Sequence, residues 1–133
     1  DPSLDVEGFD AAYKLGIICL HAFGKLVDMQ AIIRKGISSI KPVDLKFARE
    51  KGLVIKLIAS THNNGVGLSA SVLPTFISKE NPLSAVNNAY NGLLIGSTLA
   101  DEQFLCGKGA GRYPTSSAVL SDISALRYDY KYE

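Results

Sequence analysis

The chain has 133 residues, of which 47% are hydrophobic and 20% are charged, and its formal net charge is +1. This length suits one domain, and the composition supports a buried core, which excludes a disordered chain. The balanced charge without a basic run argues against a dedicated nucleic-acid binder. No apolar stretch approaches the roughly 18 residues that a membrane span needs.

The amino-terminal part of the chain is predicted to be one long helix. Asp5 is a suitable N-cap for a helix that runs to His21 or Phe23, and Gly24 suits its end. The helix is apolar nearly all round, a pattern that is typical of a buried helix. We therefore expect the stem of Lys14 in a core and its amine in a cleft.

The period of the apolar residues then changes along the chain. Two short amphipathic helices are predicted at 28–34 and 43–51, strands at 53–60, 66–76, 89–99 and 103–106, and a closing helix at 114–126. Asn64-Gly65 predicts a hairpin, Pro74 an edge or bulge, and Gly92 and Gly96 bulges or close approaches. This order predicts an α+β fold with a mixed, largely antiparallel sheet of about four to five strands and helices on one face. The tail 127–133 fits either an edge strand or a polar helix end.

The compartment is indicated by the cysteines and by the absence of a targeting sequence. Cys19 and Cys106 are predicted to be buried thiols in a reducing compartment, and His21 and His62 lack metal-ligand spacing. The chain has no signal peptide, so a cytoplasmic protein is expected. It starts on Asp1 without an initiator methionine, which suggests an excised piece.

The first polar motif lies on the long apolar helix. Asp10 and Lys14 are four residues apart, so their side chains lie on one helical face with the acid toward the N-terminus. By spacing alone this is an ordinary surface ion pair, which contributes roughly 0.3–0.5 kcal/mol and has no function.

The second motif is a glycine-rich turn between a predicted strand and the closing helix. Gly107, Gly109 and Gly111 let the backbone approach a ligand closely, and the helix N-terminus offers free N–H groups. The spacing is GxGxG rather than GxGxxG, so this is not a dinucleotide-binding fingerprint. Taken alone, glycine-rich turns before helices are mostly structural.

Both motifs together resemble the homoserine dehydrogenase family. The pattern Asp-Pro-x-x-Asp-Val-x-Gly-x-Asp-x-x-x-Lys at 1–14 looks like its signature, and GxGAGxxPTxSAVxxDI at 107–123 resembles the segment that closes its catalytic region. Shorter matches at 36–37, 55–59 and 81–83 extend the resemblance over the whole chain. The similarity is greatest to bacterial single-function members. It implies that residues 1–133 are the catalytic, substrate-binding domain, without the nucleotide-binding domain that precedes it in the family.

The resemblance also implies an activity. The family interconverts L-homoserine and L-aspartate 4-semialdehyde with NAD or NADP, in threonine, methionine and isoleucine biosynthesis. Lys14 matches the acid/base lysine, Asp10 matches a substrate-binding carboxylate, and Asp5 is a further substrate-binding candidate. The resemblance places a short stretch against the nicotinamide end of the cofactor: Gly107, Gly109, Ala110 and Gly111. It further implies a homodimer through the sheet and an isolated chain without useful turnover.

Three other functions stay open at this point. The chain fits a non-catalytic α+β dimerisation module, which needs only the helix, the strands and an exposed sheet face. It also fits an NAD(P) dehydrogenase that acts on another amino-acid-derived aldehyde or hydroxy acid. The third candidate is a small-molecule binding domain that uses the glycine-rich turn as an anion nest.

Overall fold

The computed structural model describes residues 1–130, which divide into two compact units between Lys79 and Glu80. The first unit contains α1 (Ser3–Val6), α2 (Phe9–Phe23), β1 (Ile33–Arg34), a 3₁₀ turn (Ile37–Ser39), α3 (Pro42–Glu50), β2 (Leu53–Asn63) and β3 (Leu68–Ser78). The second unit contains a 3₁₀ turn (Pro82–Ala85), β4 (Tyr90–Ser97), β5 (Asp101–Lys108) and α4 (Arg112–Arg127).

The five strands form two sheets, one in each unit. In the first unit the order is β1-β3-β2, with β1 parallel and β2 antiparallel to β3. In the second unit β4 and β5 form an antiparallel pair. The α+β class and the mixed, largely antiparallel pairing are thus confirmed, with the strands divided between two sheets.

A tight turn joins β2 to β3. The Asn64 side-chain oxygen accepts hydrogen bonds from the backbone N–H groups of Val66 (3.1 Å) and Gly67 (2.8 Å). Gly65 has φ +83°, a conformation that glycine adopts without steric cost. The Asn-Gly pair therefore makes the predicted hairpin. Pro74 is paired with Leu57 of β2, but it lies beyond the two β3 residues that pair with β1, so its other side is an edge, as expected.

Both larger helices of the first unit pack on one face of its sheet. Residues two apart along a strand share a face, so Val72 and Phe76 point the same way. Val72 is fully buried in a cluster with Ala12, Leu15 and Cys19 of α2, and Phe47 of α3 packs edge-on against Phe76 with ring centroids 5.5 Å apart. The expectation of helices on one face is confirmed for this unit.

Two of the predicted helices differ from the structure. The long helix is interrupted at Gly8 (φ +77°), which is the N-cap of α2 and has no side-chain cap bond, so Asp5 is not the cap. The helix predicted at 28–34 is wrong. There Asp28 accepts a hydrogen bond from the Gln30 N–H to close a turn, and Ile33–Arg34 pair with β3. Pairing with a distant strand overrides the local helical pattern.

Burial is also narrower than the sequence indicates. Of α2 only Ala12, Leu15 and Cys19 are buried, because one stripe packs on the sheet and the rest of the helix faces away from it. Cys19 is buried as predicted, but Cys106 on β5 is exposed, so that prediction is wrong. α4 has no buried residue.

Between residues 1 and 130, none of the helices has the length and apolar character needed to cross a bilayer.

The tail does not continue the helix beyond Arg127. Tyr128 and Asp129 form a turn, and no strand is present up to Tyr130. The rest of the predicted tail segment, 131–133, lies outside the described residues.

Gly92 generates a stability prediction. A Cβ at this position would lie 2.6 Å from Val86 Cγ2 and 3.1 Å from Leu83 Cδ2, which confirms the expected close approach. We expect Gly92→Ala to lower the free energy of unfolding by about 1–3 kcal/mol, the usual cost of overpacking. Denaturant unfolding measures this change.

The matched control lies in the same strand. A Cβ at Gly96 would meet nothing within 4 Å, so Gly96→Ala is expected to leave the unfolding midpoint nearly unchanged. Equal midpoints for the two alanine variants would show that the packing around Gly92 does not constrain the fold.

Candidate functional site

The first candidate site is an ion pair on α2. Lys14 Nζ lies 2.7 Å from Asp10 Oδ2, which confirms that the two side chains share one helical face. The Lys14 and Asp10 side chains are 56% and 44% exposed, respectively. The prediction that the stem of Lys14 lies in a core is therefore wrong, because the pair lies on the side of α2 that faces away from the sheet.

The rotation of α2 explains this exposure. Residues of an α-helix are spaced 100° apart, so the stripe formed by Ala12, Leu15 and Cys19 lies opposite Asp10 and Lys14. Since the stripe is fixed against the sheet, the ion pair points outward. It is accessible to a ligand from the outer side of the helix.

Exposed apolar side chains lie beside the ion pair on the outer face of α2. They are Tyr13, Ile17 and Leu20, all exposed large hydrophobic residues. Exposed apolar surface beside a few placed charges is typical of an interaction or ligand-binding surface. The outer face of α2 thus combines a carboxylate, an amine and uncovered apolar surface.

A shallow hollow of about 290 Å³ lies along the same helix. Its lining comes from the first turns of α2 and from the segment that leads into β1: Phe9, Ala12, Tyr13, Met29, Gln30, Ile32 and Arg34. Phe9 and Tyr13 immediately precede Asp10 and Lys14, respectively, so the hollow borders the turn that carries the ion pair.

Asp5, the third predicted site residue of this region, lies on the other side of Gly8, where the helix is interrupted. It belongs to the one-turn helix α1, and its carbonyl accepts a hydrogen bond from the Gly8 N–H at 3.1 Å. Its role in substrate binding stays a prediction.

The glycine-rich segment forms the junction of β5 and α4. A Cβ on Gly109 would collide with the side-chain amide of Asn91, and Gly111 has φ +115°. The packing and backbone conformation of the second unit therefore explain why glycine occupies positions 109 and 111. A Cβ on Gly107 would meet nothing within 4 Å, so this glycine borders open space.

This junction is chemically suited to a polar ligand. Gly111 is the N-cap of α4 and makes no side-chain cap bond. The first N–H groups of a helix have no partner within the helix and favour an anion or a carbonyl oxygen. The open space at Gly107 and the uncapped helix start leave room and hydrogen-bond donors for a polar ligand. This junction belongs to the second unit and the ion pair to the first.

Sequence reasoning missed two residues that shape these sites, Asn91 and Arg34. Asn91 fills the space that Gly109 leaves, and its role is visible only once β4 and β5 are paired. Arg34 donates a hydrogen bond to Glu7, which lies 27 residues away, and its guanidinium lies over the ring of Phe9. No local sequence signal points to contacts of this range.

The comparison with known proteins gives a consistent result. A family model described as homoserine dehydrogenase matches residues 1–124. The homoserine dehydrogenase of Synechocystis sp. is 41% identical over 92% of this chain, and that of Bacillus subtilis is 38% identical over 95% of it. The chain spans only 29% of the length of each of these relatives.

Solved structures agree with the sequence relatives. A crystal structure of S. aureus homoserine dehydrogenase matches 100% of this chain and is covered to 34%, with a TM-score of 0.89 and 34% identity. A hyperthermophilic archaeal homoserine dehydrogenase mutant in complex with NADPH matches 98% of the chain and is covered to 36%, with a TM-score of 0.77 and 29% identity. On the family match over residues 1–124, the chain belongs to the homoserine dehydrogenase family.

Proposed function

We propose that this chain is the substrate-binding region of an NAD(P)-dependent homoserine dehydrogenase. The Asp10–Lys14 ion pair on the outer face of α2 carries the proposal, because it places an acid/base group and an ammonium-binding carboxylate 2.7 Å apart. The whole enzyme interconverts L-homoserine and L-aspartate 4-semialdehyde, in the cytoplasm, as a step toward threonine, methionine and isoleucine. Since the chain spans about 29% of its curated relatives, the remainder of the enzyme supplies most of the nucleotide site.

Lys14 moves the proton in this proposal. When homoserine is oxidised, its hydroxyl proton passes to Nζ of Lys14, and in the reverse direction a proton passes from Nζ to the aldehyde oxygen. When bound, NAD(P) would supply the hydride chemistry. A positioned general acid/base of this kind contributes about 10²–10⁴-fold to the rate. The 56% exposure of the Lys14 side chain leaves its amine open to a substrate.

In this proposal Asp10 binds the amino group of the substrate. Oδ2 of Asp10 contacts Lys14, and in this proposal Oδ1 accepts a hydrogen bond from the homoserine ammonium. A hydrogen bond between charged groups is stronger than one between neutral groups, and it orients the bound molecule. Asp5 has a lesser part in this scheme, since the turn at Gly8 separates it from α2.

The glycine-rich junction is proposed to contact the nicotinamide end of NAD or NADP. Gly107 offers open space, while Gly109 and Gly111 shape the turn and Ala110 lies between them. The uncapped start of α4 supports this assignment, because its N–H groups suit a carboxamide oxygen or a phosphate.

The enzyme is further proposed to be a homodimer through the three-stranded sheet. The face opposite α2 and α3 carries two apolar cross-strand pairs, Val54 with Ile77 and Ile58 with Leu73. All four residues keep partial exposure. A second copy would cover this apolar face by an isologous contact.

The role of Lys14 is tested by substitution in the full-length protein. We expect Lys14→Ala to lower kcat for homoserine oxidation by about 10²–10⁴-fold, because proton transfer is lost, while the KM for NAD(P) stays unchanged. Steady-state rates of NAD(P) reduction measure both quantities.

The control is Lys46→Ala, which removes another i,i+4 ion pair, between Lys46 and Glu50 on α3 (3.9 Å). It is expected to leave kcat unchanged. Full activity in the Lys14 variant would move the proton transfer to another group. A wild-type protein without homoserine activity would favour another hydroxy acid as substrate, and failing that, the dimerisation module.

Asp10 is tested by Asp10→Asn, which keeps the size of the side chain and removes its charge. We expect kcat/KM for homoserine to fall by about 10- to 100-fold, as for the loss of a hydrogen bond to a charged group. Glu50→Gln is the matched control on α3 and is expected to have no effect. An unchanged KM for homoserine in the Asp10 variant would remove Asp10 from the substrate site.

The dimer is tested by placing a charge on the helix-free sheet face. We expect Ile58→Lys to shift the mass in light scattering from dimer toward monomer at low protein concentration, because an unpaired charge would be buried. Val66→Lys in the β2–β3 turn, where the side chain is 95% exposed, is the control and stays dimeric. A wild-type monomer would contradict the proposed assembly.

A further inference from the structure

Residues 7–8 form a corner between the short helix α1 and α2. α1 ends at Val6, and Gly8 takes φ +77° before α2 begins. Gly8 makes no side-chain cap bond to the helix, so the first turn of α2 lacks the usual capping contact. The contacts that fix Glu7 and Gly8 therefore determine the direction of the first turn of α2.

Arg34 contacts the corner on both sides of Gly8. Its Nη1 donates a hydrogen bond to the Glu7 carbonyl at 2.6 Å. The guanidinium carbon lies 3.5 Å from the centroid of the Phe9 ring, a close cation–π distance. One planar side chain thus joins the last residue before the corner to the first residue of α2, next to Asp10.

The backbone that carries Arg34 is itself tied to the sheet. Arg34 pairs with Val72 of β3, and the Lys35 N–H donates to the Val72 carbonyl at 2.9 Å. Gly36, two residues further on, packs so closely that an added Cβ would lie 2.6 Å from Glu7 Cα. The segment 34–36 therefore links the corner to the buried centre of the first unit.

We infer that Arg34 is a positioning residue for the Asp10–Lys14 pair. It holds the first turn of α2 by its contacts with Glu7 and Phe9, and so sets where the carboxylate and the amine meet the substrate. This inference rests on the proposed function of the ion pair. Loss of Arg34 leaves both charged groups present but displaced, and a displacement of about 1 Å can cost about 10²-fold in rate.

The experiment compares arginine variants in the full-length protein. We expect Arg34→Ala to lower kcat/KM for homoserine by about 10- to 100-fold, with the KM for NAD(P) within about twofold of wild type. Arg34→Lys restores part of the loss, because an ammonium can also make a cation–π contact with Phe9 and donate a hydrogen bond to a carbonyl. Arg49→Ala, at the end of α3, controls for the removal of an exposed arginine and keeps full activity.

A double-variant measurement separates positioning from a general loss of stability. If Arg34 acts through the ion pair, Arg34→Ala combined with Asp10→Asn lowers kcat/KM by less than the product of the two single effects. A full product would overturn the inference, as would an Arg34→Ala protein with wild-type kcat/KM and only a lower melting temperature.

Two arms keep the result decisive. If Arg34→Ala does not fold, Phe9→Leu takes its place: it removes the ring under the guanidinium, and a loss of kcat/KM supports the inference while wild-type kinetics overturn it. Lys14→Ala measured beside them reports on the proposed function. If that variant is fully active, the assignment of the ion pair fails first, and the inference fails with it.

Discussion

The packing of α2 on the three-stranded sheet is the constraint on which the candidate site depends. Cys19 and Val72 are fully buried where helix and sheet meet, so the rotation of α2 about its axis is fixed. A rotation that buried Lys14 would take an ammonium out of water, which costs several kcal/mol per ion, and would expose the apolar stripe. The same contact that builds the core therefore presents Asp10 and Lys14 outward.

The glycines of the chain separate into those that serve the fold and those that border open space. Gly109 makes room for Asn91, and Gly8 and Gly111 adopt positive φ. Gly107 has no neighbour that requires the absence of a Cβ. The glycines of one glycine-rich motif are thus required for different physical reasons. Only the structure distinguishes these reasons.

Local chemistry made part of the fold predictable. The β2–β3 turn follows from Asn64-Gly65, and α3 follows from Pro42 in its first turn and from Asp44, which accepts a hydrogen bond from the Lys41 N–H at 2.8 Å. The spacing of Asp10 and Lys14 was sufficient to predict their ion pair. β1 was not predictable, because its two residues form a strand only through their pairing with Ser71 and Val72. The exposure of Lys14 was missed because an apolar pattern does not say which stripe the sheet covers.

The shortness of β1 has a consequence for how the protein loses order. A two-residue parallel strand at the edge of its sheet is anchored by few hydrogen bonds, so it detaches in a local opening at lower free energy than global unfolding. Because Arg34 belongs to this strand, such an opening releases the corner at Gly8 while the α2–sheet core stays intact. Heat or denaturant would then act in two stages: the position of the first turn of α2 would be lost first, and the fold afterwards.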